Sequence, residues 1–200
     1  SKLPKTVTLV AVSKTKSNAD ILTAYNEGER IFGENKVQEL AKKHKELPSD
    51  IQWHMIGHLQ TNKVKYIAPF VSLIHAVDSM KLLQEINKRA KQHNRIIDCL
   101  LQVHIATENT KFGFEIEEVT KAIETSKEFK NINIKGLMAM ATFTDDSKQI
   151  NKEFASCNQL FKKVKTKKLN TLSIGMSGDY KLAINNGSTM VRVGSAIFGN

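Results

Sequence analysis

Lys14 is the first residue with covalent chemistry to offer. The run Val7–Ser13 alternates so that Val10, Val12 and Lys14 share one face of a strand, which makes the lysine the polar end of a line of valines. Burial at such a place withdraws solvent from an ammonium and favours the neutral amine, the form that condenses with an aldehyde. The alternative, which position alone favours, is that Lys14 simply leaves the strand for solvent, as Lys16 is expected to do. Near the other end of the chain, two apolar runs finish in glycine-rich turns, Ile174-Gly-Met-Ser-Gly-Asp179 and Arg192-Val-Gly-Ser-Ala-Ile197. Glycine lets backbone N–H groups come close to an anion, and a helix starting there adds a favourable dipole. Ser177 and Ser195, beside the amides of Gly178 and Gly194, therefore make a candidate phosphate site. Arg192 stands inside the apolar run from Met190. A buried guanidinium needs an acceptor, either a structural carboxylate or the ring nitrogen of a ligand, which it keeps unprotonated.

Other polar residues end apolar runs: Glu34 and Asn35, His58, Asp78 and His104. His54 sits beside Trp53 and reads as a satisfied core histidine. His54 and His58 are four apart, but on a strand-to-loop segment that spacing does not converge on a metal. Met138 and Met140 alternate and fill core, or one of them covers the face of a planar ligand.

Eight short, β-branched runs must position these residues: Val7–Ser13, Arg30–Glu34, Ile51–Gly57, Leu73–Asp78, Ile97–Ile105, Ile134–Ala141, Thr171–Met176 and Met190–Phe198. Between several of them lie segments of helical period, such as Ser79–Asn94 and Glu115–Lys127. Ser17, Asp78-Ser79 and Asp145-Asp146 are placed as helix starts. Strand–helix alternation repeated eight times predicts an α/β fold, a single (β/α)8 TIM-type barrel over residues 1–200, with an open doubly wound sheet as the alternative. In such a barrel a ligand lies at the C-terminal ends of the strands, where the polar residues above collect.

Composition narrows the function classes. The 200 residues carry 40% hydrophobic and 25% charged side chains, ordinary for a globular chain. No apolar run reaches the roughly 18 residues of a spanning helix, no secretory leader is recognisable, and two cysteines form no disulfide framework. Together these point to the reducing cytoplasm and to no membrane partner. The net charge is +10. Its lysines spread over helical faces, for example Lys42, Lys43 and Lys45, and the dense run Lys162–Lys168 closes a helix without interleaved aromatics. A solvated face is therefore expected rather than a nucleic-acid site.

Several segments are recognisable together: Ala11-Val-Ser-Lys-Thr-Lys16, Phe32-Gly-Glu-Asn-Lys-Val-Gln-Glu39, Trp53-His-Met-Ile-Gly-His-Leu-Gln-Thr-Asn-Lys63 and Glu108-Asn-Thr-Lys-Phe-Gly113. So are Gly136-Leu-Met-Ala-Met140, Gly175-Met-Ser177 and Gly187-Ser-Thr-Met-Val-Arg-Val-Gly194. In this order and spacing the chain resembles the pyridoxal phosphate homeostasis proteins from Val7 to Gly199. The resemblance implies a barrel like the N-terminal domain of alanine racemase, with pyridoxal 5′-phosphate (PLP) as cofactor. It implies that Lys14 forms the Schiff base, that the backbone around Ser177, Gly178, Gly194 and Ser195 cups the phosphate, and that Arg192 faces the pyridine nitrogen. Asn35, His54 and Met138 resemble residues that line the cofactor, and Lys111 matches a family lysine with a secondary role in PLP transfer. The function implied is that of a monomeric PLP carrier without established turnover, serving PLP-dependent apo-enzymes. The alternative is an amino-acid racemase of low activity, which needs a second acid–base group such as Tyr25, Tyr66 or Tyr180. Two departures from the family stand out. Only six residues precede Val7, so the usual N-terminal helix is expected to be short or missing, and Ser195 replaces a more usual threonine.

Overall fold

Parallel strands need a covered connection from the end of one to the start of the next, so eight of them separated by short helical segments leave few ways to arrange the chain. The computed structural model describes residues 3–108 and 112–199. The eight runs become β1 (Thr8–Val12), β2 (Ile31–Glu34), β3 (Gln52–Met55), β4 (Leu73–Val77), β5 (Ile97–Val103), β6 (Ile132–Ala139), β7 (Thr171–Met176) and β8 (Met190–Val193). Each strand pairs with the next in parallel, and β1 closes on β8 with Val10 opposite Arg192 and Ala11 opposite Val193. An open sheet would leave those two strands as edges. Here they bond to each other, which replaces the open-sheet alternative with the closed barrel.

The helices are α1 (Asn18–Asn26), α2 (Val37–Glu46), α3 (Met80–Gln92), α4 (Val119–Ser126), α5 (Ser147–Val164), α6 (Tyr180–Asn185) and α7 (Ser195–Phe198). Their starts follow the expected caps. Ser17 and Asp20 form a reciprocal capping box, Ser79 caps α3, and Asp146 accepts from the N–H groups of Lys148 and Gln149. The run expected to continue to Phe198 stops at Val193, because Gly194 turns the chain and its carbonyl accepts from Ile197 and Phe198 to begin α7. The helix expected from Glu115 begins as a 3₁₀ turn, Ile116–Glu118, before α4. Between β3 and β4 the crossover is a 3₁₀ turn, Thr61–Tyr66.

Alternation along the strands divides the core into two layers. Val10, Ile56, Leu73, Ala76, Leu100, Met138 and Met190 fill the barrel. Phe32, Trp53, Ile74, Leu137 and Leu172 face outward into the layer shared with the helices, where Leu83 and Phe154 meet them. Lys43 belongs to this second layer. Its expected place was a solvated face with Lys42 and Lys45, but it follows Val37 and Leu40 on the buried stripe of α2 and is only 5% exposed. Cys99 and Cys157 are free and buried, and burial pushes both thiols above their ordinary value. Among the described residues no helix is long and apolar enough to cross a membrane.

The closest backbone approach at a glycine is between β6 and β7. A Cβ on Gly136 would lie 1.7 Å from the Thr171 carbonyl oxygen. Gly136→Ala is therefore expected to destabilise the barrel by about 3 kcal/mol or more in urea unfolding, since backbone on both sides leaves nothing flexible to yield. A cost under about 1 kcal/mol would mean that these strands separate easily.

Candidate functional site

Strand closure brings residues from the two ends of the chain to one mouth. A cavity of about 690 Å³ opens at the C-terminal ends of the strands, within the usual range for small-molecule sites. Lys14, Asn35, Ser177, Gly178, Arg192, Gly194 and Ser195 line it. Val12, Ile56, Met140 and Met176 supply apolar wall.

Lys14 reaches the cavity from a turn just past β1, and of the two readings of its position the structure takes the exposed one. β1 ends at Val12, which is half-buried, and Lys14 is exposed at the rim. Its amine has no hydrogen-bond or ion-pair partner among the described residues. The expectation for Lys16 is corrected: its Nζ donates to the Gly199 carbonyl at 2.8 Å and its side chain lines the same cavity instead of leaving for solvent. The amine without a partner is therefore that of Lys14, and its neighbour is tethered.

The two glycine turns are joined, since the Gly194 N–H donates to Ser177 Oγ at 3.1 Å. Nothing lies within 4 Å of where a Cβ on Gly178 would stand, so the backbone there is open to the cavity. Asn35 is seated by a close contact: a Cβ on Gly57 would fall 2.5 Å from the Asn35 carbonyl oxygen.

Arg192 is 3% exposed on the cavity wall. Its Nη1 donates to the carbonyl and to the hydroxyl of Ser173, both at 2.7 Å, and its Nη2 donates to the Ala139 carbonyl at 3.0 Å. Among the described residues no carboxylate lies within ion-pair distance of it. Burial pulls the guanidinium down to about 10, against the opposing influence of Asp179 and Cys157, and it stays charged at neutral pH. The structural-carboxylate reading of Arg192 thus has no carboxylate behind it.

Two histidines stand behind the arginine. Ser173 Oγ is 3.1 Å from His75 Nδ1, and His75 Nε2 is 3.0 Å from His54 Nδ1. Because Ser173 Oγ accepts from Arg192, its own hydrogen is best placed on His75 Nδ1, and His75 then donates from Nε2 to His54. Burial pushes His54 down to about 3. His75 is held well below the ordinary range by burial first, then by His54 and Arg192. His54 is accordingly absent from the cavity lining and is part of a buried chain leading to Arg192. Met138 is fully buried inside the barrel, and of this pair it is Met140, two residues on, that lines the cavity. Lys111 lies outside the described residues. Sequence reasoning missed Ser173 and His75, and also Gln102, Phe112 and Phe143 of the lining. A polar residue within an apolar run, as in Leu73-Ile-His-Ala-Val77, was the available signal.

The chain matches the family described as alanine racemase, N-terminal domain, over residues 1–200. A relative from Aquifex aeolicus named pyridoxal phosphate homeostasis protein is 38% identical over 195 residues, covering 96% of this chain and 86% of the relative. The solved structure of PipY from Synechococcus elongatus without PLP superposes with a TM-score of 0.93 at 34% identity, covering 99% of this chain and 95% of that one. The PLP-bound structure of the same protein superposes at 0.89 with 32% identity and the same coverage.

The buried histidines make stability depend on pH. Both are neutral in the folded chain, while an unfolded histidine titrates near 6.5, so below that pH the unfolded state takes up protons that the folded state refuses. Stability is fully present above about pH 7 and is lost as pH falls, each histidine adding about 1.4 kcal/mol per pH unit to the slope. Urea unfolding between pH 7 and 5 is expected to show this loss, and His54→Gln to remove about one histidine's share. An unchanged slope in the variant would mean that His54 is protonated in the fold.

Proposed function

Since the chain belongs to the pyridoxal phosphate homeostasis proteins, a family built on the alanine racemase N-terminal domain, we propose that it binds PLP at the strand-end cavity and holds it for PLP-dependent apo-enzymes. The observation that carries this reading is Arg192, a buried cation on the wall of a ligand-sized cavity with only neutral protein acceptors.

The residues fit the cofactor part by part. PLP brings an aldehyde that forms an imine with an amine, a phosphate dianion, and a pyridine ring whose nitrogen accepts a hydrogen bond. Lys14 offers the unpartnered amine that would hold the aldehyde as an imine, with loss of water. Ser177 and Ser195 offer hydroxyls and the backbone at Gly178 is open beside them, while the Gly194 N–H, already donated to Ser177 Oγ, holds the two turns together. Val12, Ile56, Met140 and Met176 offer apolar surface to the faces of a flat ring. Arg192, charged at neutral pH, would donate to a ring nitrogen and keep a proton off it.

Holding rather than turnover is the reading best supported. Proton transfer on both faces of an amino acid needs an acid or base on each side. Tyr25 is bonded to Asp50, Tyr66 lies on the 3₁₀ turn before β4, and Tyr180 lines an adjoining cavity on the far side of Ser177 and Gly178 and is absent from the lining of the site itself. In this reading the protein acts as a cytoplasmic monomer, with neither nucleic acid nor membrane as partner.

Adding PLP is expected to give the near-visible absorbance of an imine, and borohydride reduction followed by peptide mapping to place the pyridoxyl group on Lys14. A label on another lysine, or a Lys14→Ala protein with the same absorbance, would overturn the assignment. Arg192→Gln is expected to weaken PLP binding about ten- to a hundredfold, the range for losing a hydrogen bond from a charged donor. Unchanged affinity in a folded variant would return Arg192 to a purely structural role.

A further inference from the structure

The reach of a lysine depends on where its backbone stands, and the residues flanking Lys14 are fixed from outside the barrel. Ser13, fully buried, donates from its N–H to the Gly33 carbonyl at 3.0 Å and from its hydroxyl to Glu34 Oε1 at 2.6 Å. Its carbonyl accepts from Lys43 Nζ at 2.8 Å. On the other side the Thr15 N–H donates to Glu39 Oε1 at 2.8 Å. Thr15 has φ 64°, in the left-handed region that a β-branched residue rarely adopts. Such a conformation persists only where surrounding bonds over-determine it.

Those bonds converge on one ammonium. Lys43 Nζ donates to Glu34 Oε1 at 2.8 Å, to Glu39 Oε1 at 2.7 Å and to the Ser13 carbonyl, so its three hydrogens are all used. Glu34 is fully buried and its Oε2 has no partner, so the cluster is not arranged for its own stability alone. Burial works against the charge on Glu39, but the bonds from Lys43 and Thr15 outweigh it and hold the carboxyl below its usual value. Lys43 and Glu39 are one turn apart on α2, so the helix presents both to the end of β1 as a rigid pair.

We infer that Glu39, oriented by Lys43, is a positioning residue for Lys14: it holds Thr15 left-handed and thereby keeps the Lys14 backbone turned toward the cavity. With Ser13 facing the helices, Thr15 fixed through its N–H and Lys16 tethered to the Gly199 carbonyl, Lys14 is the residue of the turn whose amine is left without a partner at the mouth. The inference rests on Lys14 being the PLP-binding lysine. A carboxylate at position 39 would then govern how fast the amine engages an aldehyde, and would leave recognition of phosphate and ring untouched.

Three measurements on the full chain test it: the rate of imine absorbance after PLP addition, the affinity for pyridoxine 5′-phosphate, which has no aldehyde, and hydrogen exchange at the Thr15 amide. Glu39→Ala is expected to slow imine formation about tenfold, the equivalent of about 1.4 kcal/mol, to speed Thr15 exchange, and to leave pyridoxine 5′-phosphate affinity within about twofold of wild type. Glu39→Gln keeps an acceptor oxygen and should recover most of the rate. Adding Thr15→Gly to Glu39→Ala should also recover part of it, because glycine enters the left-handed region without steric cost. A wild-type rate in Glu39→Ala, or an equal loss for both ligands, would overturn the positioning role while leaving the PLP site intact. A wild-type chain in which PLP labels some other lysine would remove both readings.

Discussion

The seam where β1 bonds to β8 is the constraint on which the site depends. Residue 14 and residues 192–195 lie at opposite ends of the chain, and they share a cavity because Val10 stands opposite Arg192 and Ala11 opposite Val193. A shift of one residue in that register would turn every β1 side chain to the other layer, placing Val10 among the helices and Lys14 away from the mouth. The barrel interior resists such a shift because Val10, Leu100 and Met138 fill it. Barrel packing and site geometry are thus one requirement.

Within that frame the polar groups form two systems with different purposes. Inside the barrel, Arg192, Ser173, His75 and His54 form a chain with an ordered sense of donation, all of it neutral except the guanidinium. It fixes the arginine without neutralising it, which leaves a full positive charge on the cavity wall. Outside the barrel, Lys43 gathers two carboxylates and a backbone carbonyl beneath α2 and fixes the turn that carries Lys14. One system leaves a charge unneutralised at the cavity; the other consumes its charges to hold the backbone.

Much of this was legible in the sequence, and the gaps have physical reasons. The strands showed as β-branched runs because a parallel strand covered on both faces is apolar throughout, and their number implied closure. Lys14, the glycine turns and Arg192 stood out as chemistry at strand ends. What periodicity could not say was depth. Met138 and Met140 share a face, and only the tilt of the strands decides which one reaches the cavity. Lys14 continues the valine line in sequence, but the strand ends two residues before it. Lys43 resembles its charged neighbours by type, and its burial depends on Glu34 and Glu39, whose convergence is a tertiary fact. His75 sits in an apolar run whose partners, Ser173 and His54, come from other strands. Burial of polar groups is decided by partners, and partners distant in sequence leave little local trace.

The central claim is that Lys14 and Arg192 engage opposite parts of one bound molecule. A crystal structure of the chain grown with PLP tests this most directly. The account predicts continuous density from Lys14 Nζ to the cofactor, with the ring nitrogen within hydrogen-bond reach of Arg192. Density joined to a different lysine, or a ring turned so that its nitrogen faces away from the guanidinium, would contradict it.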